Sequence, residues 1–175
     1  IMRLASVAVR HWQTPVEARR IANLQSRTTH YSALSAAACE SLATTLCALI
    51  GGQDWPKASS PTPGDHWPDA IKALSGEDWQ QRDRDSISST GFVVHTLEAA
   101  LWAVDTTNSF AAALLKVVNL GDDADSVGAV AGQLAGARYG LSAIPRNWLD
   151  VLIQREAIEG IGRKLFYASD ALGRG

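Results

Sequence analysis

The chain has 175 residues and a formal net charge of −2, with 46% hydrophobic and 19% charged residues. That composition fits one domain with a sizeable core and does not fit a disordered chain. The near-zero charge gives no electrostatic reason to expect nucleic acid or an anionic membrane as a partner, and no uninterrupted apolar run reaches the length of a bilayer span.

The first ten residues, Ile1 to Arg10, already carry helical rhythm without a cap or a leader. The chain therefore reads as starting inside a domain. A buried helix is expected to end near Trp12. Thr14, Pro15 and Glu17 then supply an N-cap, a first-turn proline and a first-turn acid for a helix running to Ser26. After a polar break at 27–32, Ala33 to Ile50 predicts a long Ala/Leu-rich helix closed by Gly51 and Gly52. Residues 53–69 hold four prolines and read as an exposed loop. A short helix is expected from Pro68 to Leu74, and Arg82–Asp85 reads as a solvated charge run. Further helices are expected at 91–104, 109–118, 125–139, 148–152 and 156–168, the third stopped by Gly140. Strand-like alternation is absent, so the fold class is all-α.

Cys39 and Cys47 lie eight apart on one predicted helix. That is about 12 Å along the axis, too far for a mutual disulfide. Reduced, buried thiols and a cytoplasmic location are expected. The six tryptophans show no repeat and read mostly as core or loop anchors. His11, His66 and His95 carry no functional signal.

The densest chemistry lies at 119–136, where Asp122, Asp123 and Asp125 crowd into four positions before Ser126 and a helix rich in small residues. Carboxylates this close repel one another, and a hard cation such as Mg²⁺ relieves the repulsion by taking their oxygens as ligands. Asp and Ser are also favoured helix caps, so capping is the competing reading. Three acids exceed what a cap needs, and Gly121, Gly128, Gly132 and Gly136 leave space around the turn and along the helix.

The run from Asn119 to Gly140, followed by Ala143-Ile144-Pro145 and Trp148-Leu149, closely resembles the C-terminal signature of the ADP-ribosylglycohydrolases. Pro15 to Ser26 with Thr29 and His30, the block from Ser89 to Trp102, and Met2 with Arg3 are similar to further family segments in the same order. The resemblance covers the chain to about Ala168. It implies a compact multi-helix bundle with two Mg²⁺ ions, Mn²⁺ being the alternative. The activity implied is hydrolysis of the glycosidic bond between ADP-ribose and an acceptor such as a protein arginine.

The family's upstream threonine-aspartate-aspartate-threonine group is not in this sequence. Residues 1–175 thus resemble the C-terminal part of a single domain, whose missing N-terminal part is an expected partner alongside ADP-ribose or an ADP-ribosylated protein. By the same resemblance Asp123, Asp125 and Ser126 form half of a two-metal site. Asp122 stands where the family often has glycine and is left out. His30, read alone, is a capping or surface histidine; the resemblance places it in the ADP-ribose cleft. Ser89, Gly91 and Phe92 are further substrate-binding candidates, Phe92 replacing a frequent tyrosine and so lacking its phenolic donor. Met2 and Arg3 would flank the diphosphate, although Arg3 also fits a structural ion pair. The general base is unassigned and expected upstream. The alternative is a non-catalytic ADP-ribose binder, or a structural or immunity protein, of the same fold.

Overall fold

The computed structural model describes residues 1–76 and 78–169. Ten α-helices occur among them: α1 (Ala5–His11), α2 (Pro15–Arg27), α3 (Ala33–Ile50), α4 (Trp55–Ala58), α5 (Asp69–Ala73), α6 (Val93–Asp105), α7 (Phe110–Val118), α8 (Ala124–Tyr139), α9 (Arg146–Asp150) and α10 (Arg155–Ser169). No strand appears among the described residues.

The helix termini follow local chemistry. Ser32 and Ser109 cap α3 and α7, their hydroxyls accepting from the Ser35 and Ala112 amides. Thr14 holds the cap position of α2 without capping through its side chain; its hydroxyl donates back to the His11 carbonyl instead. The first helix starts at Ala5, not at the first residue. The ninth starts at Arg146, two residues earlier than expected, with Pro145 at its cap position.

Helix α3 is the axis of the bundle. Twelve of its 18 residues are buried. It is long and apolar enough to cross a bilayer by length and composition, but 67% of it is covered by other parts of the fold. Glu40 and the Ser and Thr residues interrupt its apolar run, and α3 behaves as a core helix. It packs against α1 and α2 on one side and against α6 and α8 on the other. Helices α6, α7 and α8 form a second layer, close enough that a Cβ on Gly128 would lie 3.1 Å from Val118 Cγ1. Arg138 closes its far end, donating to the Val104 carbonyl at 2.6 Å with its guanidinium over the Trp55 ring. The last helix docks on α1, where Phe166 stacks on Trp12 and Arg10 donates to the Ala168 carbonyl.

Three expectations change. The 53–69 segment is not an exposed loop: it contains α4 and buries Trp55, Ala58 and Trp67. Arg82 is not merely solvated; it pairs at 2.7 Å with the buried Glu98 of α6, and its carbonyl accepts from Trp102 Nε1. His66 is not idle, because it meets Glu40. The thiols of Cys39 and Cys47 are buried and free as expected, and burial pushes Cys47 up to about 12.

Glu40 is only 4% exposed, the one charged residue on an apolar helix. Its carboxylate accepts from Asn23 Nδ2 at 2.6 Å, Trp67 Nε1 at 2.8 Å and His66 Nε2 at 3.0 Å, with Arg19 at 3.9 Å. This ties α2, α3 and the proline-rich segment together. Gly64 sits among these groups, where a Cβ would come within 2.7 Å of the Arg19 guanidinium. Burial alone pushes the Glu40 carboxyl up, but the hydrogen bonds from Asn23, Trp67 and His66 outweigh it and hold it below the usual carboxylate range.

Replacing Glu40 by Ala strands buried donors and is expected to cost about 2–4 kcal/mol in urea unfolding. A depressed folded pKa contributes stability above the unfolded value, near 4.5, and loses it as pH falls through the folded one. The Glu40→Ala variant should accordingly show a flatter loss of stability below about pH 4.5 than the parent chain.

Candidate metal turn and nucleotide cleft

Between α7 and α8 the chain reverses through two left-handed residues, Gly121 at φ +90° and Asp122 at φ +48°. A short polar side chain tolerates that region better than most, and glycine better still. This accounts for an aspartate standing where the family often has glycine. Asp122 is exposed.

Asp123 comes next, at the cap of α8. Its backbone N–H donates to the Ser89 carbonyl at 3.1 Å, and its carbonyl accepts from Val127. Its side chain makes no capping hydrogen bond. The carboxylate is instead turned to Gly91, where a Cβ would stand 2.8 Å from Oδ2. Capping therefore does not explain this acid. Asp125 is exposed in the first turn. A hydrogen bond from the Asp123 carboxyl, then the backbone N–H groups of Ser126 and of Asp125 itself, hold its carboxyl below the usual range.

Two carboxyls two residues apart, with a hydroxyl on the residue after the second, are hard oxygen donors suited to Mg²⁺ or Mn²⁺ and unsuited to soft metals. Among the described residues no three His, Cys, Asp or Glu side chains group closely enough to hold a metal by themselves. The donor set thus fits part of a metal site.

Beside this turn opens a cleft of about 300 Å³, lined among others by Arg3, Ser26, His30, Gly91, Phe92 and Ser126. One wall comes from the end of α2 and the segment after it, the other from the start of α6 and the first turn of α8. Four of the expected site residues, His30, Gly91, Phe92 and Ser126, line it together. His30 Nδ1 shares a 2.9 Å hydrogen bond with the Thr29 hydroxyl, which orients the ring. The Phe92 ring is 46% exposed and rests edge-on against His95 at 5.1 Å. His95 in turn hydrogen-bonds Thr90, and Thr96 donates to the Thr90 and Phe92 carbonyls. The 89–92 backbone is thereby fixed from within α6.

Ser89 departs from expectation. It is 3% exposed and does not line the cleft; its part is the carbonyl that receives the Asp123 amide. Arg3 lines the cleft and its guanidinium donates to Thr28 Oγ1 rather than to a carboxylate. Sequence reasoning gave no role to Ser26, a buried serine on the cleft wall. Its place one turn before Thr29-His30 on an amphipathic helix was the available signal.

The sequence matches the ADP-ribosylglycohydrolase family over residues 1–174. It is 46% identical over 146 residues to an ADP-ribosylarginine hydrolase, Tri1, of Serratia proteamaculans (strain 568), covering 82% of this chain and 39% of that protein. It is 34% identical over 135 residues to the ADP-ribosyl-[dinitrogen reductase] glycohydrolase of Rhodospirillum rubrum, covering 75% of this chain and 43% of that protein. Among solved structures, an ADP-ribosylglycohydrolase-related protein complex superposes with a TM-score of 0.83 at 32% identity, covering 93% of this chain and 57% of its own. The chain spans about two fifths of the length of these curated relatives. It belongs to the ADP-ribosylglycohydrolase family.

Proposed function

We propose that this chain supplies part of the active site of an ADP-ribosylglycohydrolase that releases ADP-ribose from an acceptor, first of all a protein arginine. The observation that carries the reading is the convergence of the acidic turn, through Gly91, on the end of a cleft lined by Arg3, His30 and Phe92. The arginine acceptor rests on the name of the Serratia relative, an ADP-ribosylarginine hydrolase. A cytoplasmic location is supported only by two buried, unpaired thiols.

Asp123, Asp125 and Ser126 would hold Mg²⁺, or Mn²⁺ in its place, as half of a two-metal centre. Bound there, the cation supplies charge that fixes ribose hydroxyls and orients the attacking water. The chain's own groups do the rest of the binding. The Arg3 guanidinium faces the diphosphate, the Phe92 ring packs on a sugar or base, and His30 offers a ring nitrogen to a ribose or phosphate oxygen. Water then bonds to C1″ as the C1″–N bond breaks, and the proton the water loses is passed through a base to the leaving guanidine. The group that takes the water's proton belongs to the part of the fold outside this chain, so the mechanism assigns no base here.

Asp123→Asn and Asp125→Asn in the full-length protein should each lower Mg²⁺-dependent turnover of ADP-ribosylarginine by about 100-fold or more, whereas Asp122→Gly should leave it near the parent level. Unchanged turnover in both Asn variants would sink the metal role. Gly91→Ala should shift the Asp123 carboxylate and weaken Mg²⁺ binding about tenfold, measured by titration calorimetry, while the melting temperature stays within a few degrees. Retained Mg²⁺ affinity would mean that Asp123 binds no cation. The isolated 1–175 chain should show no hydrolysis; measurable turnover by a pure preparation would refute the half-site reading.

A further inference from the structure

One residue of the acidic-turn helix has no part in the site as described. Gln133 stands seven residues after Ser126 on α8, two turns along the same face and about 10 Å up the axis. Its amide Nε2 donates to the Met2 carbonyl at 3.0 Å and lies 3.3 Å from the Ile1 and Ala129 carbonyls. Three carbonyl oxygens around one group fix the amide orientation, because the flipped form would set oxygen against oxygen. The other end of the side chain is unsatisfied: Gln133 Oε1 is shielded from solvent without a hydrogen-bond partner among the described residues.

The 1–3 segment joins the two walls of the cleft. On the α8 side Gln133 holds its first two carbonyls. On the α2 side Gln25 Nε2 donates to the Arg3 carbonyl at 3.4 Å, and the Arg3 guanidinium donates to Thr28 Oγ1 at 3.1 Å. Arg3 is the one guanidinium among the residues that line the cleft. The direct link from this segment to the metal-turn helix is thus a side-chain amide on α8.

We infer that Gln133 is a positioning residue that sets the Met2–Arg3 segment, and with it the Arg3 guanidinium, at the distance from the α8 acidic turn that the anionic part of an ADP-ribose ligand requires. The inference rests on the proposed function, since it presumes that the cleft takes a nucleotide diphosphate. It names no contact between Gln133 and the ligand. Gln133 acts through backbone it holds, as groups outside the direct contacts of a site orient those that touch the ligand.

The test is a double-mutant cycle in the full-length protein, reading ADP-ribose dissociation constants by calorimetry. Gln133→Met keeps the side-chain volume and removes the donor. It should weaken ADP-ribose about tenfold while leaving Mn²⁺ affinity unchanged. In an Arg3→Gln background the same substitution should cost about twofold or less, because the guanidinium it positions is gone. ADP-ribose affinity within twofold of the parent in Gln133→Met overturns the inference, and so does an equal loss in both backgrounds, which would mark a global structural effect. Should Gln133→Met fail to fold, Gln133→Lys, which retains N–H donors, should bind within about threefold of the parent; a tenfold loss, or failure of this variant to fold as well, overturns the positioning role. A parent protein that binds no ADP-ribose refutes the proposed function itself, a result distinct from all of these.

Discussion

A carboxylate carried into the core by an apolar helix must meet donors there or go uncharged, and Glu40 meets four of them. Asn23 fixes the register of α2 on α3, and Trp67 and His66 bring the proline-rich segment down over the same spot. The end of α2 and the residues after it form one wall of the cleft, so the position of His30 follows from a hydrogen-bond network farther along α2 and α3. Buried charges are poor sources of net stability, but they are strict about geometry. Here the strictness falls on the α2–α3 pair.

The opposite wall is set by sterics more than by charge. Asp123 reaches the cleft edge because residue 91 has no side chain. The turn that delivers it needs two left-handed residues in sequence, which glycine and a short polar side chain accommodate. The backbone link from Asp123 to Ser89 then registers α8 against the start of α6. Asp123 is therefore held by its main chain, without a capping bond from its carboxylate. Between the two walls lies the 1–3 segment, tied to α8 by one glutamine and to α2 by another.

Much of this was legible in the residues. Helical periodicity, Ser caps and Gly stops placed α3, α7 and α8 within a residue or so, because those signals are local. The acidic turn, His30, Gly91 and Phe92 were identifiable because their motifs are long and resemble a family pattern. What failed was long-range. Nothing adjacent to Arg82 in the sequence reveals that Glu98 waits sixteen residues on, buried and needing a cation. Prolines at 56, 61, 63 and 68 signal a break in regular structure, but they do not say that their neighbours Trp55 and Trp67 insert into the core. Ser89 is expected at the substrate, while the fold uses its carbonyl, a group every residue possesses, to hold Asp123. His66 and Gln133 owe their roles wholly to partners distant in the chain.

Arg138 and Tyr139 secure the far end of α8, the guanidinium on the Val104 carbonyl and the phenol on the Thr107 carbonyl, with the arginine lying over Trp55. At the near end the Asp123 backbone N–H donates to the Ser89 carbonyl in the segment before α6. Mechanically, α8 is a beam clamped at one end and lightly propped at the other. A charge arriving at the propped end can draw the first turn inward by a small flexure while the clamped end stays in place. Local adjustment of the acidic turn is thus compatible with an undisturbed core, in which α6, α7 and α8 stay closely packed.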